Sequence, residues 1–109
     1  MGELVLGEFE QLVLLALIRI GQDAYGVPIC EDIVERTGRE VSLGAVYKTL
    51  ERLEDKGLVA SRIGDPTPER GGRRKKHYRI AAPGQRPLRQ SMAANRNMAD
   101  GLESELKLP

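Results

Sequence analysis

SLGAVYKTLERLEDKG, residues 42–57, is the stretch of sequence that decides the fold. Ser42 is a good N-cap because its hydroxyl can accept a hydrogen bond from an unpaired backbone amide of the first turn. Gly57 is suited to end the helix because glycine enters the left-handed conformation without steric cost. No proline lies between them, so the stretch predicts one uninterrupted helix.

The predicted helix separates into an apolar side and a cationic side when its residues are spaced about 100° apart. Tyr47 lies at the edge of the apolar side, which carries Leu43, Val46, Leu50 and Leu53. The opposite side carries the cationic row, which consists of Lys48, Arg52 and Lys56. Such a row is usually only a solvated face.

Two neighbouring features favour a functional reading of this helix. The small residues of its first turn, Ser42, Gly44 and Ala45, let a helix end approach another surface closely. The segment that follows is the most basic in the chain. A short helix with a small-residue start and a cationic flank, next to a basic hairpin, is typical of a reader of duplex DNA.

The net charge of +1 conceals an uneven distribution of charge along the chain. Residues 1–40 carry a net charge of −5, whereas residues 62–79 carry seven Lys and Arg against two acids, a net charge of +5. A nearly neutral protein with one basic block is suited to a localised phosphate contact rather than to coating any polyanion.

Length and composition indicate one globular domain, since the chain has 109 residues, 40% of them hydrophobic. The single cysteine, Cys30, excludes an intrachain disulfide, and we expect it to be a small buried residue. The acidic start MGELVLGEFE is not typical of a signal peptide, and the apolar run at residues 12–18 is too short to span a bilayer. We therefore expect a cytoplasmic protein with no membrane contact.

Two further helices are predicted ahead of residue 42. Residues 8–20 are apolar on nearly every side, which indicates a helix buried on more than one face. Residues 22–38 contain a second helix, with Pro28 in its first turn. Its predicted inner stripe is Ile29, Ile33 and Val34. A helix-turn-helix pair is therefore predicted, made of this helix, the link at residues 39–41 and the Ser42 helix.

A β-hairpin is predicted after the third helix. Residues 58–64 alternate, with Val59 and Ile63 expected on the buried face. Residues 75–80 alternate as well, with Tyr78 in the hairpin core and His77 directed outward among cations. Between these strands the segment DPTPERGGRR has no apolar residue and predicts a long basic loop. The fold class is therefore mainly α with a small β-hairpin, in the order of a winged helix-turn-helix.

The C-terminal residues predict a dimerisation helix. Residues 83–107 are expected to be helical, with an a/d stripe over about three heptads. A small domain could not cover that whole stripe, so we expect a second copy of the chain to do so. The stripe consists of Leu88, Met92, Asn95, Ala99, Leu102 and Leu106. The expected division is a winged-helix domain at residues 1–82 and a dimerisation helix at residues 83–109.

Catalysis and metal binding have no candidate residues in this sequence. One histidine and one cysteine, far apart in the chain, cannot form a first-row metal site in one subunit. No nucleophile, base and orienting group occur together in a catalytic pattern. We therefore expect no enzyme activity, no cofactor and no bound metal.

Four stretches of the chain resemble the PadR family of bacterial transcriptional regulators. They are LGEFEQLVLLAL at 6–17, AYGVPI at 24–29, SLGAVYKTLERLEDKGLV at 42–59 and GDPTPERGGRRKKHYRI at 64–80. The resemblance implies a winged helix with a C-terminal dimerisation helix, and repression of a neighbouring gene. The short tail is similar to that of the subclass with a single C-terminal helix.

The resemblance also implies the DNA contacts. Tyr47 and Lys48 on the recognition helix, and Arg70, Arg73 and Lys75 on the wing, are the residues that it assigns to DNA. With the small residues of the first turn, Arg52 of the cationic row, and Arg74 and Lys76 of the basic block added, the predicted DNA-binding set is Ser42, Gly44, Ala45, Tyr47, Lys48, Arg52, Arg70, Arg73, Arg74, Lys75 and Lys76. For Tyr47 two readings stay open: a phosphate contact through the phenol, or packing at the rim of the core.

The expected partners are a palindromic double-stranded operator, a second copy of the chain and a small-molecule or stress-related effector that releases repression. A winged helix that binds another protein or RNA is the alternative function. The seven cations within residues 62–79 favour DNA. The salt dependence of duplex binding would separate the two functions.

Overall fold

Three helices, a hairpin and a C-terminal helical segment make up the fold. A computed structural model of the chain describes residues 5–66 and 74–109, and at residues 65, 66 and 74 the description covers the backbone. The helices of the first half are α1 at Glu8–Ile20, α2 at Gly26–Thr37 and α3 at Leu43–Asp55. A single 3₁₀ turn, Gly21–Asp23, follows α1. These three helices confirm the predicted order.

Local capping chemistry sets both ends of α3. The Ser42 Oγ accepts a hydrogen bond of 3.1 Å from the Ala45 amide, as an N-cap does. Gly57 has a φ of 77° just beyond the helix, where L side chains are strained. The Leu58 amide donates to the Leu53 carbonyl over 2.9 Å, which completes a Schellman stop. Both predicted boundary residues therefore do what their chemistry favours.

Helix α1 lies at the centre of the core, as its nearly continuous apolar surface predicts. It packs against α2, α3, the hairpin and the C-terminal helix. Val13 and Leu14 are fully buried, and Leu17 is 2% exposed. The other helices contribute Ile29, Val46, Leu50 and Leu53 to the same core. The arrangement fixes α3 against α1 through an aliphatic interior.

The hairpin consists of two antiparallel strands, β1 at Val59–Pro66 and β2 at Arg74–Ile80. Val59 lies opposite Ile80 at the end nearest the core, and Ile63 lies opposite Lys76 farther out. The backbone of the link between α1 and α2 also joins the hairpin, since the Tyr78 amide donates to the Ala24 carbonyl over 2.8 Å. The mainly α winged-helix fold class is confirmed.

Two residues predicted to be buried lie in solvent instead. Val34 is 40% exposed because it lies about 100° around the helix from Ile33, outside the inner face of α2. Ile63 is 61% exposed although Val59 is buried. Four residues of strand extend about 13 Å, so Ile63 lies on the part of the wing that projects beyond the core.

The link between α2 and α3 is held at several points. Gly38 ends α2 with a φ of 70°. Arg39 forms an ion pair with Glu8 at the start of α1. Cys30 is half-buried rather than fully buried, and its Sγ donates to the Val41 carbonyl over 3.3 Å. These contacts set the angle at which α3 follows α2.

The C-terminal segment is not one helix, so the prediction of a single helix over residues 83–107 is wrong. Helix α4 spans Ala82–Ala99 and the short helix α5 spans Glu103–Leu106. Gly101 has a φ of 85°, and the Leu102 amide closes the turn by donating to the Ala99 carbonyl over 2.9 Å. Asp100 leaves the helical conformation with a ψ of 130°, and the positive φ of Gly101 completes a tight turn, so the helical path and the a/d stripe end here.

Candidate nucleic-acid interface

The first turn of α3 is open to the outside. Ser42, Leu43 and Gly44 are exposed and Ala45 is half-exposed. A Cβ placed on Gly44 would meet no described atom within 4 Å. The Ser42 hydroxyl is engaged as the cap of its own helix. The small predicted residues therefore form an unobstructed end of α3, with Leu43 displaced from the core to the surface.

Tyr47 packs against the start of α2. A Cβ placed on Gly26 would lie 2.5 Å from the Tyr47 Oη and 2.8 Å from its Cε2, so the ring occupies the space that only glycine leaves. Tyr47 is nevertheless 37% exposed. The structure therefore gives Tyr47 a packing contact between α2 and α3 and leaves part of its ring in solvent.

The cationic row divides into three different environments. Lys48 is exposed and makes no hydrogen bond or ion pair with another described residue. Arg52 donates through Nη2 to the Thr49 Oγ1 over 3.2 Å. Lys56 donates through Nζ to the Glu10 Oε2 over 2.9 Å. Of the three cations, Lys48 is thus the one that is not engaged by another described residue.

Glu10 is a nearly buried carboxylate that joins α1 to the end of α3. Burial acts to raise its pKa, but hydrogen bonds from Lys56 and the Gly7 amide, together with the charges of Lys56 and Arg52, lower the pKa below its ordinary value. Glu10 is 8% exposed. A buried carboxylate needs such partners, because an unpaired charge in the interior is costly. Lys56 therefore stabilises the helix pair and is not a free cation.

The base of the wing packs on Tyr25, directly before α2. The Lys75 Nζ lies 5.1 Å from the centre of the Tyr25 ring. His77 meets the same ring edge-on, with ring centres 5.6 Å apart. A Cβ on Gly64 would lie 2.5 Å from the His77 Nδ1, so glycine makes room for the imidazole. The prediction that His77 faces outward is wrong, because Gly64 and Tyr25 leave a space that the imidazole fills.

Lys76 ties the wing to α3. Its Nζ lies 3.3 Å from the Glu54 Oε1 and 5.5 Å from the centre of the Tyr78 ring. The same Glu54 carboxylate accepts a hydrogen bond from the Ser61 hydroxyl on β1. The hydrogen bond from Ser61 is the largest single cause that lowers the pKa of Glu54 below its ordinary value, and the neighbouring Lys76 ammonium lowers it further. One carboxylate at the end of α3 thus holds both strands of the wing.

Tyr25 and Glu54 are functional candidates that the sequence reasoning did not single out. Both position the wing, and neither lies in a basic segment. For Tyr25 a signal existed, because it precedes Gly26 within the AYGVPI stretch. For Glu54 no local signal existed. Its partners Ser61 and Lys76 lie on the two strands, 7 and 22 positions later in the chain, so the periodicity of a single helix or strand does not relate them to Glu54.

For three of the wing residues predicted to contact DNA, the side chain is not covered by the described part of the structure. Arg70 and Arg73 lie outside the described residues, and so does the side chain of Arg74. The prediction that these residues contact DNA remains a prediction.

The predicted dimer residues divide between the domain's own core and solvent. Leu88 is 4% exposed and Met92 is half-buried, both packed in the core of their own chain. Asn95 is exposed and Ala99 is half-exposed. Leu102 and Leu106 are 47% and 55% exposed, on the segment beyond the Gly101 turn. Met98 was not in the predicted stripe, yet it is a 79% exposed apolar side chain near the end of α4.

Neither a metal cluster nor a membrane span is present in the described part of the chain. No three His, Cys, Asp or Glu side chains there could together hold a metal ion. None of its helices combines the length and the apolar character that a membrane crossing requires.

The sequence and the structure both lead to one family. The model of the transcriptional regulator PadR-like family matches residues 14–90. No curated protein sequence matches the chain significantly. A PadR family transcriptional regulator from Eggerthella lenta is 28% identical with a TM-score of 0.67, and the alignment covers 94% of this chain and 88% of that one.

Two other solved structures extend the comparison. A PadR family regulator from Clostridium difficile is 25% identical with a TM-score of 0.73, over 92% of this chain and 99% of that one. PadR from Bacillus subtilis, solved in complex with operator DNA, is 23% identical with a TM-score of 0.63. That alignment covers 77% of this chain and 47% of the Bacillus chain, and at this identity it shows the shared fold.

The fold is therefore that of a winged-helix transcriptional regulator. The chain belongs to the PadR-like family. Members of this family are transcriptional regulators and not enzymes, which confirms the prediction that the chain has no catalytic role.

Proposed function

We propose that the chain is a dimeric repressor that binds a palindromic DNA operator through α3 and the wing. The observation that carries this proposal is one continuous surface at the start of α2. Tyr47 of α3 packs on Gly26, and Lys75 of the wing lies over the adjacent Tyr25. The recognition helix and the wing therefore meet at two consecutive residues, so both can face one duplex.

The two parts of this surface supply different kinds of contact. Lys48 projects from α3, so it is suited to reach a base edge in the major groove. Lys75 at the base of the wing, with the predicted Arg70, Arg73 and Arg74, is suited to phosphates. Lys76 holds Glu54 and supports the wing, which makes it a positioning residue in this proposal.

A salt titration tests DNA binding directly. If a dimer neutralises about 6–10 phosphates, duplex affinity should fall roughly 10³–10⁵-fold between about 50 and 200 mM salt. Selection from a random duplex pool at low salt would supply the operator for this measurement. Binding that does not change with salt, or preferential binding of RNA or of a protein, would favour the alternative function.

The dimer in this proposal is formed by α4 and the start of α1. Val5 is 85% exposed and Met98 is 79% exposed, and both line a cleft of about 550 Å³ between these helices. Isolated large apolar side chains are common on surfaces, but two that line the same cleft are the kind of surface that a second copy of the chain would cover. Binding a palindromic operator requires the two-fold axis of this dimer to hold the two recognition helices about 34–36 Å apart, one turn of DNA.

Met98→Asp tests this interface, with Ile63→Asp as the control that charges an equally apolar, 61% exposed residue on the wing. Sedimentation should show a monomer for Met98→Asp and a dimer for Ile63→Asp. A dimer in both variants would place the interface elsewhere.

The proposed function includes release of the repressor from its operator by a small-molecule or stress signal. The test is to add each compound of a candidate panel to the protein–operator complex and to measure whether operator binding is lost.

A further inference from the structure

A second cleft lies between the C-terminal half of α1 and the hairpin. Its volume is about 390 Å³, and both strands of the wing line it. Leu17 and Tyr78 are buried beneath it, while Ile18 is 52% exposed at its edge. Arg62 and Arg79 add two cations to its lining. The cleft thus combines an apolar interior with a positive rim.

The C-terminal segment of the chain has the complementary character. Every residue from 100 to 109 is exposed, so the segment makes no buried contact with its own domain. Leu102, Leu106 and Leu108 are each about half exposed, at 47%, 55% and 49%. The segment nevertheless has a regular backbone, since it contains α5 and a 2.9 Å hydrogen bond from the Leu108 amide to the Glu103 carbonyl. It presents three leucines beside the acids Asp100, Glu103 and Glu105.

The direction of α4 separates this segment from the cleft of the same chain. Gln85, in the first turn of α4, lines the cleft beside the end of α1. Farther along α4, Ser91 accepts a hydrogen bond of 3.3 Å from the Leu6 amide, ahead of α1. Helix α4 therefore runs back along α1, and its last turn lies about 20 Å from Gln85 at 1.5 Å per residue.

Within one chain the C-terminal segment and the cleft lie at opposite ends of α4, but a two-fold axis across α4 brings the segment of one subunit near the cleft of the other. Two identical helices that pack side by side about a perpendicular two-fold axis run antiparallel, so the end of one lies near the start of the other. The segment beyond Ala99 of the partner subunit then reaches the Gln85 end of α4, where the cleft opens. This step rests on the proposed dimer through α4.

We propose that α5 and its flanking leucines pack in the α1–hairpin cleft of the other subunit. Leucines of the segment fill the apolar interior beside Ile18, and Glu103 and Glu105 face Arg62 and Arg79. Because both wing strands line the cleft, the occupant steadies the wing of the subunit that binds it. Each subunit thus helps to position the DNA-binding wing of its partner.

Disulfide trapping between two different chains tests this contact. Both chains carry Cys30→Ser, which retains a donor for the Val41 carbonyl. One chain carries Ile18→Cys and the other Leu106→Cys, so a disulfide between the two types of chain must be intersubunit. A bond requires the two Cα atoms to approach within about 7 Å. The control pairs Leu106→Cys with Val34→Cys, a 40% exposed valine on α2 that does not line the cleft.

Rapid disulfide formation with Ile18→Cys and little with Val34→Cys is the expected result. Equal rates for the two pairs would reflect random collision and overturn the proposal. A dimer by sedimentation that gives no disulfide would overturn this contact and leave the proposed dimer standing. A monomer would overturn both. Sedimentation of the reduced mixture therefore separates the two failures.

Charge reversal provides a second test with the same readout. Arg62→Glu with Arg79→Glu in the Ile18→Cys chain should slow disulfide formation by roughly threefold to tenfold, as expected for two exposed ion pairs. Glu103→Arg with Glu105→Arg in the Leu106→Cys chain should restore the rate. A rate of disulfide formation that is the same with and without these charge reversals would overturn the assigned charge pairing.

Discussion

The aromatic ring of Tyr47 lies over Gly26, so the recognition helix and the start of α2 touch through a tyrosine and a residue without a side chain. A methyl group on Gly26 would lie 2.5 Å from the Tyr47 Oη, too close for any stable contact. This relationship makes the orientation of Tyr47 sensitive to a substitution on another helix. It offers a way to separate the two readings of Tyr47.

Gly26→Ala should push the Tyr47 ring outward. We expect the free energy of unfolding to fall by only about 1 kcal/mol, because the Tyr47 side chain can move away from the new methyl group, which a backbone atom could not do. Gly44→Ala is the matched control, because it adds a methyl group in open space. It should stabilise the helix by roughly 0.5–1 kcal/mol. Thermal unfolding measures both. Unchanged stability and DNA affinity for Gly26→Ala would show that the Tyr47 contact matters to neither.

Gly84→Ala should destabilise the protein more than Gly26→Ala does. A Cβ at Gly84 would collide with the Leu58 carbonyl oxygen and lie 3.3 Å from the carbonyl carbon, and backbone cannot swing aside. We expect a loss of about 2–3 kcal/mol. At about 5 °C per kcal/mol for a domain of this size, the Tm should fall by about 10–15 °C. A fall no larger than that of Gly26→Ala would contradict this reasoning.

Acid should weaken the contact between Glu10 and Lys56. The pKa of Glu10 is lowered on folding, so its stabilising contribution is present above the unfolded pKa of about 4.3 and is lost as pH falls through the folded pKa. Glu10→Gln should therefore be less stable than the parent near neutral pH, with a difference that shrinks below about pH 4. Chemical denaturation at several pH values measures this difference.

The control for that experiment is Glu8→Gln, on the same helix. The Glu8 side chain is 77% exposed in its ion pair with Arg39. Exposed pairs contribute about 0–1 kcal/mol, so this variant should follow the parent closely. A pH-independent gap between Glu10→Gln and the parent would mean that Glu10 acts through packing and not through its charge.

Lys48→Ala and the pair Arg73→Ala with Lys75→Ala should differ in specificity. Phosphate contacts position a protein without reading sequence, so the wing pair should weaken binding to operator and random duplex alike. Lys48→Ala should cost about 1–3 kcal/mol more on the operator, as expected for a base-edge contact. Competition titrations with both duplexes measure the ratio. Equal losses for Lys48→Ala would make it a backbone contact.

Local chemistry accounts for what the sequence predicted well. Ser42 and Gly57 bound α3 because capping depends on residues within one turn. The central position of α1 followed from its own apolar surface. The apolar stripe of α4 was predicted as far as Met92, where the domain itself covers it.

The errors concern residues whose environment depends on distant partners. His77 lies against Tyr25, which precedes it by more than fifty residues in the chain. Lys56 looked like part of an exposed row until α1 brought Glu10 to it. One helix was predicted over residues 83–107, although Gly101 within that range adopts a left-handed φ that costs glycine little and that turns the chain. Such pairings are tertiary, and periodicity along one segment does not contain them.

The hydrogen bond from the Leu6 amide to the Ser91 Oγ has a consequence for how the protein is made. It joins residues 85 positions apart. At translation rates of about 5–20 residues per second, Ser91 is synthesised roughly 4–17 s after Leu6. During that interval the start of α1 is uncovered, and we expect nascent chains arrested before α4 to be cleaved there by protease. Completion of α4 closes this period, so the translation rate between Leu6 and Ser91 sets how long the start of α1 stays exposed.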